Sequence, residues 1–111
     1  MKDNRLYLLD ILNRIERIER SLVGKDEHYF MNDEVIQDAT IRNFEVIGEA
    51  IKRLSPEITQ QSSHVRWKDF AGFRDILIHQ YDVIRLDIVW QAIQTDIPIL
   101  KQSVIILLSE S

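Results

Sequence analysis

Apolar residues recur at three- and four-residue intervals along most of this chain. Leu8, Leu9, Leu12, Ile15, Ile18 and Leu22 do so between Arg5 and about Val23, while Arg14, Glu16, Arg17, Glu19 and Arg20 take the other side. That pattern predicts an amphipathic first helix stopped by Gly24. The following KDEHYFMND reads as a polar loop. A second helix opens after Asn32 or Asp33, either of which can cap it. It carries Val35, Ile36, Ala39, Phe44, Ile47, Ala50, Ile51 and Leu54 and closes at Ser55-Pro56, because proline disfavours helical geometry in the residue before it. Gly48 lies mid-helix at a cost of about 1 kcal/mol against alanine, and a close helix crossing is the structural reason to keep it.

Residues 56–66 (PEITQQSSHVR) read as a connector with room for one short turn. A third helix runs from Trp67 to about His79, with Phe70, Phe73, Leu77 and Ile78 as its apolar side. A fourth runs from about Arg85 to Leu108 through Leu86, Val89, Trp90, Ile93, Ile97, Leu100, Val104 and Leu107, and Pro98 should kink or split it. No segment alternates with period two. The expectation is an all-α, antiparallel four- to five-helix bundle in one domain over residues 1–111.

Composition narrows the functional classes. The 111 residues are 45% hydrophobic and 29% charged, ordinary for a globular chain. There is no cysteine, so disulfides and thiolate metal sites are excluded and a reducing cytoplasm suits the chain. The opening MKDNRLYLLDILNRIERIER mixes acids and bases through its apolar stretch, unlike a secretory signal, and no run reaches the roughly 18 apolar residues expected of a membrane span. The net charge is −4, and neither half of the chain is basic. Any nucleic acid must therefore be attracted by local geometry rather than by a general cationic surface.

Candidate chemistry concentrates in RDILIHQY, residues 74–81. On a helix of about 100° per residue, Arg74 and Tyr81 share a face, whereas His79 falls about 140° from Arg74. The three converge only if the helix ends near Ile78–Gln80 or if a second copy supplies the partner group. Converged, a histidine can take a proton from a hydroxyl near neutral pH, and an arginine offers a forked cationic donor to phosphate. Those two groups suffice for a ribose 2′-hydroxyl to attack its own phosphodiester without a metal. The plainer alternative is a helix-end histidine bonded to a carbonyl, with Arg74 paired to Asp75 or Asp82. His28 and His64 read as solvated. No two histidines have helical metal-site spacing, and no glycine-rich phosphate loop exists, so neither metal nor cofactor is expected. Asp38, Arg42, Glu45 and Glu49 form a polar stripe on the second helix. It is either a solvated face with weak ion pairs or the lining of a cleft whose carboxylates orient Arg74 and His79.

With these residues in view, the sequence resembles the HepT-like branch of the HEPN superfamily, the toxin halves of bacterial and archaeal toxin–antitoxin pairs. The resemblance rests on Arg74-DILI-His79-Gln-Tyr81 together with QDATIRNFEVIGEAIKRLSPE before it, WKDFAGFRD leading into it and LDIVWQAIQTDIPIL after it. It implies a homodimeric helical bundle whose motifs meet across an interfacial cleft. It further implies a metal-independent endoribonuclease with His79 as general base or acid and Arg74 on the phosphate. The implied partner is a small MNT-type nucleotidyltransferase antitoxin that transfers AMP to Tyr81, as in a type VII-like system. Asp75 departs from the polar amide frequent in relatives and can pair with Arg74. Arg85 stands where relatives often carry an acid. A non-catalytic helical subunit of a nucleotidyltransferase is the alternative. A substrate-binding helper for a small-molecule transferase is a more distant one.

Overall fold

The computed structural model describes the backbone of residues 3–79 and 85–110, with the side chains of those residues other than 74–79. The first apolar repeat becomes α1, Asn4–Leu22, which buries Leu8, Ile11, Ile15 and Ile18 along one stripe. Asp3 caps it, accepting from the Arg5 amide at 2.9 Å. The chain leaves α1 through Gly24 at φ +73°, a backbone conformation that side chains with a Cβ resist.

The stretch expected to be loop instead holds a short helix, α2, Glu27–Asn32. Asp26 caps it by accepting from the Tyr29 amide at 3.0 Å. The reason for the element is Phe30, which has no exposed surface and lies 5.5 Å from the Trp90 ring. One aromatic anchor thus draws an otherwise polar stretch onto the bundle. The third helix, α3, covers Glu34–Lys52 and is capped by Asp33, whose carboxylate accepts from the Ile36 amide at 3.0 Å. Of the two caps considered, Asp33 is the one used. Phe44, Ile47, Gly48, Ala50 and Ile51 are buried on it.

Pro56 occupies the first turn of α4, Pro56–Gln61, where its missing N–H costs nothing. Asn4 clamps this corner to the start of α1, donating to Ser55 Oγ and accepting from the Ser55 amide, both at 3.0 Å. The Trp67 indole donates to the Ser62 carbonyl at 2.9 Å at the entry to α5, Trp67–His79. The last helix, α6, spans Leu86–Glu110. Pro98 does not split it: α6 is a single helix with the proline inside. Pro98 and Gln94, whose carbonyl loses its helical donor, are both exposed, so water can take the freed acceptor. By length and composition α6 could also cross a membrane. Its buried residues, among them Val89, Ile93, Ile97, Leu100 and Val104, are however part of the shared core.

The result is an all-α antiparallel bundle of four long helices and two short ones among the described residues, with no strand there. α3 packs between α1 and α5, and α6 closes the bundle against α1 and α2. Truncating Phe30 to alanine should cost about 3–5 kcal/mol, the usual range for a buried aromatic, read as a lower midpoint in urea unfolding. Asp33→Ala should cost about 1 kcal/mol through the lost cap.

Candidate functional site

α5 carries Arg74, Asp75 and His79 on its backbone, while their side chains, and Tyr81 altogether, lie outside the described residues. What the structure does fix is the ground beneath them. The ring of Phe73, the residue before Arg74, lies 5.1 Å from that of Phe44 on α3. Position 74 therefore stands level with the middle of α3. In an antiparallel pair, the last turns of α5 run alongside the earlier turns of α3, the half that contains Asp38 and Arg42.

The polar stripe of α3 opens toward α1. Arg42, Glu45 and Glu49 line a groove of about 270 Å³ with Tyr7, Asp10, Val46, Ala50 and Arg53. Within it Arg42 lies 3.7 Å from Glu45, and Arg53 lies 3.7 Å from Glu49. These exposed pairs contribute little stability. Asp38 is exposed and is not among the groove residues. Deeper between the helices, Arg14 of α1 donates to Asn43 Oδ1 at 3.2 Å. Burial lowers the Arg14 pKa from its ordinary value. The neighbouring Arg17 and Arg42 lower it further, against an opposing pull from Asp10.

A second groove, of about 660 Å³, lies between α5 and α6 over Lys68, Gly72, Phe73, Ile88, Gln91 and Thr95. A Cβ built on Gly72 would meet no atom within 4 Å. At one end of the groove Arg66 binds Asp69 at 2.6 Å and reaches Asp96 at 3.9 Å. The Asp69 hydrogen bond and charge raise the Arg66 pKa above its usual value.

Arg85, whose fit before the last helix was uncertain from sequence, forms a two-pronged pair with Asp87. Nε donates to Oδ1 at 3.0 Å and Nη2 to Oδ2 at 2.8 Å. That hydrogen bond holds the Asp87 carboxyl below its usual range. A lowered folded-state pKa means the contribution is present once the carboxylate is ionised and fades as pH falls through the folded value.

Two features escaped the sequence reading. His64, expected to be solvated, is exposed but has its Nε2 2.9 Å from the Oγ of Ser103, a residue only 1% exposed. No local sequence signal links positions 39 residues apart. Thr40 Oγ1 is fully buried with no hydrogen-bond partner among the described residues, although threonine at a core position of α3 was itself a visible oddity. His28 is exposed, as expected. Among the described residues no three His, Asp or Glu side chains are grouped as metal ligands.

The family model described as "Ribonuclease HepT-like" matches residues 11–106. A Methanocaldococcus jannaschii protein named as both a gamma-glutamylcyclotransferase and, provisionally, an RNase is 42% identical over 98% of the chain, and the chain spans only 49% of that relative's length. A provisionally named RNase of Caldanaerobacter subterraneus is 39% identical over 94% of the chain and 93% of its own length. The "Probable ribonuclease HepT" of Thermococcus cleftensis is 37% identical, with 86% of each chain covered. No solved structure matches the chain.

Replacing Thr40 with valine removes a buried hydroxyl that has no described partner while keeping the side-chain shape. Stability should hold or rise by up to about 1 kcal/mol, measured by urea unfolding. A loss of 2 kcal/mol or more would reveal a partner for this hydroxyl.

Proposed function

We propose that this chain, which belongs to the HepT-like ribonuclease family, is a toxin-type endoribonuclease acting through Arg74 and His79. The observation that supports this most is the extent of the family match. Residues 11–106 contain the whole Arg74-to-Tyr81 stretch, all of α5 and most of α6.

The chemistry follows from the functional groups. His79 takes the proton of a ribose 2′-hydroxyl, and the oxygen attacks the adjacent phosphorus. The bond from phosphorus to the 5′-oxygen breaks and that oxygen takes back a proton from the imidazolium or from water, leaving a 2′,3′-cyclic phosphate on one fragment and a 5′-hydroxyl on the other. Arg74 meets the charge that builds on the phosphoryl oxygens with a fork of permanently cationic donors. Nothing in this sequence of steps calls for a metal.

The helical wheel separates positions 74 and 79, so the proposal includes a homodimer in which the two copies of α5 complete one cleft. Asp75 tempers Arg74, and Asp38, Arg42 and Glu45 lie on the helix that backs this cleft. Tyr81, two residues past the histidine, is the proposed AMP acceptor for a cognate nucleotidyltransferase antitoxin. An anionic nucleotide there would occupy the phosphate site and exclude RNA. The setting is one 1–111 domain working in the cytoplasm.

Arg74→Ala and His79→Ala should each lower RNA cleavage by about 10²–10⁴-fold, the range for losing a general base or a charge-stabilising group. Cleavage should persist in EDTA and yield cyclic-phosphate ends. Wild-type protein that is harmless to cells without its partner and leaves RNA intact would defeat the proposal, favouring a non-catalytic subunit. Intact-mass measurement after co-expression with a cognate MNT-type nucleotidyltransferase should show added AMP that vanishes in Tyr81→Phe.

A further inference from the structure

The α1–α3 seam carries a charge arrangement that the reaction does not use. Beyond Asp10, one strip of α1 presents Arg14, Arg17 and Ser21 at helical spacing, and Arg42 of α3 comes close enough to act on Arg14. Arg17 and Arg42 thus both act on Arg14, in a chain whose net charge is −4. Apart from Asp10, the acids of α1 leave them alone. Glu16 and Glu19 lie off this strip, and Glu19 is engaged by Lys101 of α6 at 2.8 Å. Arg17 is exposed and has no carboxylate at ion-pair distance among the described residues. The acids that do approach are Asp10, Glu45 at 3.7 Å from Arg42, and Asp38 one turn before Arg42. The cluster is also built in: Arg14 is tethered to Asn43, which is 6% exposed. Clustered like charges held against mutual repulsion are relieved by a polyanion.

Their placement indicates which one. Asn43 meets α1 through Arg14, and the next residue, Phe44, meets α5 through Phe73, the residue before Arg74. Positions 74, 42 and 14 therefore stand at one height on three successive helices, each about 8–10 Å from the next. We propose that single-stranded RNA leaving position 74 crosses α3 at Arg42 and is held on α1 by Arg14 and Arg17 through its phosphates. This rests on the RNA-cutting reading and adds to it a track that holds the strand outside the cleavage centre. Because the contacts are to the backbone, the track confers length and salt dependence rather than base preference.

The test uses the full chain carrying His79→Ala, so that RNA is bound without being cut, and a fluorescent single-stranded RNA oligonucleotide followed by anisotropy across a salt series. Arg17 is exposed and the Arg42 side chain is 68% exposed, so Arg17→Gln with Arg42→Gln should leave the melting temperature unchanged. In that double variant the slope of log affinity against log salt should fall by about 1.4, with affinity about tenfold weaker at low salt. Arg53→Gln makes a single charge change in the same groove away from the cluster, and should move the slope by less than half of what either single cluster variant does. An unchanged slope, an equal effect from Arg53→Gln, or a His79→Ala parent that binds no RNA would each overturn the track. A wild type that binds RNA with the arginine-dependent slope yet cuts none sinks the nuclease reading and leaves the track standing. One that cuts RNA while its slope ignores Arg17 and Arg42 sinks the track alone.

Discussion

Burial of α3 on two sides is the constraint from which the rest of this molecule follows. One helix must satisfy α1 with Asn43 and Ala50 and α5 with Phe44, so its charged residues are confined to what remains of its circumference. That confinement is why Arg42, Glu45 and Glu49 share a single groove with α1. It also fixes the height of α5, because the Phe44–Phe73 contact sits one residue before Arg74. The placement of position 74 is thus decided by an aromatic pair outside the Arg74–Tyr81 stretch.

The long helices were legible because each carries an unbroken apolar period. The structure begins α5 at the Trp67 that its pattern implies and begins α3 at one of the two anticipated caps. The errors have local causes. KDEHYFMND is mostly polar, and a six-residue helix cannot show a period; only Phe30 betrayed it, and only its distant partner Trp90 explains it. Of the two outcomes expected at Pro98, the split does not occur, since a proline on the exposed side of a long core helix frees one carbonyl to water without ending the helix.

Legibility of the site is of another kind. The residue types at 74, 79 and 81 carry a chemical suggestion, but their convergence requires a helix end near Ile78–Gln80 or a second copy of the chain, and spacing encodes neither. The His64–Ser103 contact makes the same point from the other direction: a hydrogen bond across 39 positions leaves no trace in either neighbourhood. The arginines of α1 looked like the solvent side of an amphipathic helix, and it was the tether from Arg14 to Asn43 that set them apart.

Gly72 gives α5 a built-in softness. A glycine inside a helix forfeits about 1 kcal/mol against alanine, and here no atom within 4 Å among the described residues demands the sacrifice. α5 is therefore held below the rigidity its described surroundings permit, with the weak point less than one turn upstream of Arg74. A scaffold tuned only for permanence would have filled that space.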